Sequence, residues 1–443
     1  MRRSLRFAFG RGSLALAAAV VAACKAQHAP PSDPASAEAA AIALAHSEPA
    51  PHEPEPVEPA QQQPPLSGLD LAHMLADDEG LAAPVDGGTA HLTLDPDLQR
   101  MALQVVTEHH VPEAAVVLVD VATGRLLVYA SHVEGAAARD LCAEATAPSA
   151  SVFKIVTAAA LVEDAHLGPD TRQCYSGGEQ RIAATDLIED PQRDRWCTTL
   201  AGAVGRSINT AIARLARAHL TPAQLDAMAR NFGYGQPVPF DAPVQPSGIH
   251  IPSEPLDFAR TAAGFWNTTL SPLQAAEISA IVARRGEAVR PRLVDRVTGP
   301  GGGVLWSAPE SPSPSPRRAI ARETAEQVTT MMERTVSEGT SFRAFHDTRG
   351  GAFLPGIAVA GKTGTLTDAE AQRYYTWFTG FAPSRPQAGE HQVAVAVLVV
   401  NGPTWRVKAN VVARDVLRAY FAERGVQGVT RPSPGAVARR RKR

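Results

Sequence analysis

The chain is poor in the residues that mark several large functional classes. Four cysteines in 443 residues are too few for a scaffold built on disulfides, and no C-x-x-C pair points to a zinc site. Aromatic residues make up only 5%, which leaves little for platforms that stack nucleobases. Neither sign of charge dominates: 43 Lys+Arg stand against 45 Asp+Glu, net −2. Nucleic acid held by bulk positive charge is therefore not expected as a partner. No apolar run reaches the roughly 18 residues of a membrane-spanning helix. What is present, 44% hydrophobic residues, suffices for a sizeable core and excludes global disorder.

Both ends differ from the middle. Arg2, Arg3, Arg6 and Arg11 precede an apolar run from Leu14 to Ala23, the layout of an export signal over 1–23. The run closes on Val21-Ala22-Ala23-Cys24, which resembles the lipobox of bacterial lipoproteins. That resemblance implies a lipid attached to Cys24, export, and membrane anchorage facing the periplasm. Lys25, in place of an aspartate, favours the outer membrane. Ten prolines and no aromatic residue fall between 25 and 66. Such a segment buries too little apolar area to offset its ordering entropy, so 24–66 is predicted to be a disordered Pro/Ala/Glu-rich linker. Residues 426–443, ending Arg439-Arg440-Arg441-Lys442-Arg443, read as a solvated basic tail.

Between these ends, 67–112 reads as a short N-terminal segment packing on a domain over 113–425. A short strand is predicted to end at Asp95-Pro96, with a helix after it from Leu98 to Val106. Ala115–Asp120 and Leu126–Tyr129 read as a hairpin around Thr123-Gly124. From Pro148 to Ala344 the pattern is mostly helical, with Gly339 as a C-cap. Strand character returns at Ile357–Thr365, Tyr375–Phe381 and Val393–Val400, and a last helix runs to Gly425. Strands at both ends with helices inserted between predict an α+β fold: an antiparallel sheet flanked by helices, plus an inserted helical subdomain.

Three short motifs carry chemistry. Ser151-Val152-Phe153-Lys154 opens a helical run. A serine there meets free N–H groups that favour developing negative charge, and a lysine one turn along can reach its Oγ. Desolvation would let that lysine act as a base. Ser207-Ile208-Asn209 precedes another helical run and can present a hydroxyl and an amide to one cleft, although taken alone it reads as a helix cap. Gly361-Lys362-Thr363-Gly364-Thr365 lies in strand context. It offers a fixed cation and a hydroxyl for a carboxylate, and a glycine that lets a substrate backbone approach. A phosphate-cradling loop is excluded, because the upstream glycine and the strand-to-helix context are missing.

In this order, S-x-x-K, S-x-N and K-T-G form a set shared by penicillin-binding proteins and class A β-lactamases. Over about residues 90–425 the chain resembles the penicillin-binding transpeptidase domain. Leu92–Asp95, Ala115–Asp120 with Thr123-Gly124, Ser271-Pro272-Leu273-Gln274, Gly339-Thr340 and Trp377–Phe381 are similar to that family as well.

The resemblance implies a D,D-transpeptidase that cross-links peptidoglycan stem peptides through an acyl-serine, with β-lactams as covalent inhibitors. Ser151 is the implied nucleophile and Lys154 its proton acceptor. Ser207, Asn209 and Lys362 pass that proton to the departing D-Ala, and Lys362 and Thr363 hold the terminal carboxylate. Gly364 admits the substrate backbone, and the amides of Ser151 and Thr365 form an oxyanion hole. This chemistry needs no metal or cofactor. No glycan-polymerising domain is expected in 67–112, so a separate polymerase is the implied partner.

Alternatives within the resemblance are a D,D-carboxypeptidase and a β-lactamase. For the latter, Glu254-Pro255-Leu256-Asp257 is the nearest match to the deacylating E-x-x-L-N, and it lacks the spacing and the Asn. A non-catalytic lipoprotein that senses muropeptides or β-lactams is the alternative of another class. Export to an oxidising compartment predicts a disulfide between Cys174 and Cys197, taken to flank a helical segment, with Cys142 left as the free thiol.

Overall fold

The computed structural model describes residues 65–432, apart from 78, 179 and 310–316. The export signal, Cys24, nearly all of the 24–66 linker and the basic run 439–443 lie outside the described residues.

Three short strands open the described chain: β1 (Leu75–Asp77), β2 (Gly80–Val85) and β3 (Gly88–Leu92). Asp95 then caps α1 (Pro96–Glu108), its carboxylate accepting from the Asp97 and Leu98 amides while Pro96 fills the first turn. The hairpin β4 (Glu113–Asp120) and β5 (Leu126–Val133) follows. Strand β6 (Ala147–Pro148) leads through a 3-10 turn, Ala150–Phe153, into α2 (Lys154–Glu163). Next come β7 (Arg172–Tyr175), β8 (Trp196–Thr199), α3 (Leu200–Arg206) and α4 (Asn209–His219). Helices α5 (Pro222–Asn231) and α6 (Pro255–Ala262) precede β9 (Thr269–Leu270) and α7 (Pro272–Ala283). The Ser271 hydroxyl caps α7 by accepting from the Gln274 amide, with Pro272 in the first turn, so Ser271-Pro272-Leu273-Gln274 is a helix-start signal. Strands β10 (Val294–Thr298) and β11 (Val304–Ser307) come before α8 (Arg322–Ser337) and the short α9 (Phe342–Phe345). The chain closes with β12 (Ala360–Asp368), β13 (Arg373–Ala382), β14 (Val393–Asn401) and α10 (Ala409–Glu423).

The central sheet has the order β12-β13-β14-β4-β5 and is antiparallel throughout. Every residue of β14 is buried, because helices cover both faces. Ala394, Ala396, Leu398 and Val400 enter the core that contains α2 and α7. Val393, Val395, Val397 and Val399 enter the core that contains α1 and α10. A strand covered on both sides reads as a continuous apolar run rather than an alternation. The architecture is the expected α+β one, an antiparallel sheet flanked by helices.

The stretch 148–344 departs from the helical reading. It contains β7–β8, β9 and β10–β11 as well as helices. Cys174 and Cys197 sit opposite each other on the β7–β8 ladder, not at the ends of a helical segment. Four-residue strands such as Arg172–Tyr175 hold too few positions for a period of two to stand out. Within 67–112, β3 pairs with β10, so this segment shares the β1-β2-β3-β10-β11 sheet with residues from the middle of the chain. Gly339 is not a left-handed cap; Glu338 caps α8. Its role is close approach, since a Cβ there would lie 2.1 Å from the Gly205 carbonyl oxygen.

Candidate active site

Ser151 sits half-buried in the 3-10 turn that precedes α2. The turn is held from several sides. The Trp377 indole N–H donates to the Pro148 carbonyl at 2.9 Å, and the Ser149 amide donates to the Thr268 carbonyl at 3.1 Å. The Tyr234 hydroxyl donates to Ser149 Oγ at 3.1 Å. These contacts hold Ala150 in the left-handed region, φ 48°, a conformation that costs an alanine about 1–2 kcal/mol. Such strain persists only where the surroundings over-determine it. Two glycines make room for the turn. A Cβ on Gly264 (φ 83°) would stand 2.4 Å from the Ala150 carbonyl oxygen, and one on Gly364 would stand 3.2 Å from the Ala150 Cβ. Strand β12 therefore lies directly against the Ser151 turn, with Gly364 at the contact. Thr365, exposed, is the next residue along that strand.

Lys154 is fully buried. Its Nζ reaches Ser151 Oγ at 2.7 Å and Asn209 Oδ1 at 2.6 Å, and also donates to the Ala263 carbonyl. Burial, with the Lys362 charge nearby, pushes its pKa well below the ordinary lysine value. A neutral amine has two N–H donors and one lone pair. The two carbonyl oxygens of Asn209 and Ala263 take the donors, which leaves the lone pair for the Ser151 hydroxyl proton. Once protonated, the same nitrogen has three donors for the same three oxygens. The site thus accommodates both states without moving a heavy atom.

Lys362 on β12 is also fully buried, and burial draws its pKa down to about 7. It donates to Ser207 Oγ at 3.0 Å and to the Thr363 carbonyl at 2.9 Å. Ser207 and Asn209 do not act as a simple cap. Ser207, in the left-handed region with φ 59°, ends α3, and Asn209 begins α4. The break between the helices turns the Ser207 hydroxyl to Lys362 and the Asn209 amide to Lys154. The described structure therefore brings Ser151, Lys154 and Asn209 together, and joins Ser207 to Lys362. Thr363 pairs its hydroxyl with that of Thr340 at 2.6 Å.

Glu254 is placed otherwise: its carboxylate accepts from the Asp257 amide and caps α6. Cys174 and Cys197 are disulfide-bonded, and Cys142 is buried as a free thiol. Sequence reasoning missed the Ala263 carbonyl, whose role follows from loop geometry alone. It assigned no role to Thr340.

The penicillin binding protein transpeptidase domain profile matches residues 114–418. The peptidoglycan D,D-transpeptidase PbpA of Mycolicibacterium smegmatis is 29% identical over 268 residues, covering 58% of this chain and 50% of that protein. The chain thus spans about half the length of such curated relatives. Two solved structures share the fold. The D,D-transpeptidase domain of a peptidoglycan glycosyltransferase from Eggerthella lenta has a TM-score of 0.62 at 22% identity, over 80% of this chain and 95% of that one. Penicillin-binding protein A of M. tuberculosis, as an imipenem acyl-enzyme complex, has a TM-score of 0.59 at 23% identity, over 75% and 79%. With a match that runs from the first strand of the central sheet into its last helix, the chain belongs to the penicillin binding protein transpeptidase domain family.

Proposed function

We propose that the chain is a serine D,D-transpeptidase acting on peptidoglycan stem peptides. The observation that carries this reading is Lys154, fully buried, with its Nζ 2.7 Å from Ser151 Oγ. Lys154 takes the hydroxyl proton as Ser151 Oγ attacks the carbonyl between two D-alanines. The amides of Ser151 and Thr365 receive the developing oxyanion. The proton passes by way of Ser207 and Lys362 to the departing D-Ala nitrogen, and the C–N bond breaks to leave an acyl-serine. An amine from a neighbouring strand then takes the acyl group, and its proton returns Ser151 to the hydroxyl form. Lys362 and Thr363 hold the donor's carboxylate.

β-Lactams trap the same serine in this reading. Deacylation by water needs a further base, and the carboxylate in the nearest sequence context, Glu254, is committed to a helix cap. The test is intact-mass spectrometry after mixing with benzylpenicillin. One adduct per chain, stable over minutes, is expected for the wild type, and none for Ser151→Ala or Lys154→Ala. Many turnovers without a surviving adduct would move the assignment to a β-lactamase.

The proposal includes placement. A diacylated Cys24 anchors the protein to a membrane facing the periplasm, with the outer membrane favoured by Lys25, and a separate polymerase supplies the glycan strands. The sequence Val21-Ala22-Ala23-Cys24-Lys25 supports the anchor.

A further inference from the structure

Thr340 lies in the link between α8 and α9, and its backbone is tied to the helix that ends in Ser207. The Thr340 amide donates to the Gly205 carbonyl at 3.1 Å. The fit there is close on both sides: a Cβ on Gly339 would lie 2.1 Å from the Gly205 oxygen, and one on Gly205 would lie 2.6 Å from the Arg334 Cβ. From this fixed point the exposed Thr340 side chain crosses to β12, where its Oγ is 2.6 Å from Thr363 Oγ.

A threonine hydroxyl carries one proton and two lone pairs. Were Thr363 to spend its proton on Thr340, it would turn only lone pairs toward an incoming carboxylate. With Thr340 as the donor, the Thr363 proton is free for the anion, and the accepted bond polarises the Thr363 hydroxyl further. We propose that Thr340 is a positioning residue: it donates to Thr363 Oγ and so directs the Thr363 proton at acyl donors that end in a free carboxylate. This rests on the reading that Lys362 and Thr363 receive that carboxylate.

The test compares acylation by benzylpenicillin and by its methyl ester, which keeps the reactive ring and lacks the anion. Thr340→Val fills the same volume without the hydroxyl. It should lower the second-order acylation constant for the acid about tenfold, through weaker binding rather than a slower bond-forming step, and at least fivefold more than for the ester. Thr340→Ser should restore the wild-type preference, and adding Thr363→Val to Thr340→Val should cost less than the product of the two single losses. Equal losses for acid and ester, no rescue by serine, or multiplicative losses would overturn the proposal. Thr363→Val alone serves as the control on the underlying reading. If it fails to discriminate acid from ester, carboxylate recognition by Lys362 and Thr363 falls and the proposal with it. If it discriminates and Thr340→Val does not, only the proposal falls. Thr340→Ala provides a second hydroxyl-free variant should the valine disturb folding.

Discussion

Two buried lysines dominate the candidate site at the scale of single residues, and each is held against its own solvation. Burial draws Lys362 from 10.5 to about 7. Between those values the unfolded chain binds a proton that the folded chain does not. Stability is therefore lost as the pH falls from above 10.5, and the loss is complete once the pH is below about 7. By linkage that cost is roughly 3–5 kcal/mol at neutral pH, before the hydrogen bonds to Ser207 and Thr363 are counted. Lys362→Met should abolish acylation yet raise the unfolding midpoint by several degrees at pH 7, with a smaller gain at pH 10. A midpoint difference that is the same at both pH values would count against this account. The fit of Gly264 against Ala150 gives a second expectation. Gly264→Ala would put a Cβ 2.4 Å from the Ala150 carbonyl oxygen, so the backbone must give, and displacement of the Ser151 turn should slow acylation about a hundredfold. Stopped-flow measurement of penicilloyl-enzyme formation checks this, and a rate within threefold of wild type would show that the turn is not held there. Of these features, the lysines were legible in the sequence because two of the three motifs name them. The strain at Ala150 was not, because φ is imposed by neighbours distant in the chain.

The β7–β8 hairpin and α4 form a unit at the scale of elements. Arg214 on α4 donates to the carbonyls of Cys174, Asp186 and Ile188 at 2.9, 2.6 and 2.9 Å, and forms an ion pair with Asp194. Both side chains are almost wholly buried, and Arg214 holds the Asp194 carboxyl down at about 2. All of these partners fall within or beside the loop closed by Cys174–Cys197. Removing one member of a buried pair strands the other, at a cost of about 3–5 kcal/mol. Arg214→Met should lower stability by that amount in denaturant titration. Because α4 begins at Asn209, the variant should also slow acylation. Removing the disulfide through paired Cys→Ala changes should cost about 3 kcal/mol. The combined variant should lose less than the sum, since both changes release one loop. Additive losses would show that the two restraints act independently. Of this unit, the Cys174–Cys197 bond was legible beforehand and the Arg214 network was not. An arginine in an alanine-rich helix, Ala213-Arg214-Leu215, reads as a surface residue until the loop that covers it is in place.

For the whole molecule, the transpeptidase-domain family match covers residues 114–418, and placement is argued from sequence ahead of it. Cys24→Ser should move the protein from the membrane pellet to the soluble fraction of fractionated cells. Unchanged pelleting of that variant would rule out the lipid anchor.

The sequence alone determined the residues of the candidate site and the class of fold. The motifs Ser151–Lys154, Ser207–Asn209 and Lys362–Gly364 fix residue types at short spacings, and local spacing is what a linear reading measures. Strand β14 was equally plain, because a strand covered on both faces writes itself as an unbroken apolar run, here Val393–Val400. Tertiary structure alone decided which atoms meet. The Ala263 carbonyl on Lys154, the break that sends Ser207 and Asn209 to different lysines, and the Gly205–Gly339 contact that brings Thr340 to Thr363 all join residues far apart in the chain. Their closeness depends on how helices and strands pack together. The depressed basicity of Lys154 and Lys362 has the same origin, since desolvation belongs to the folded surroundings and not to the residue itself.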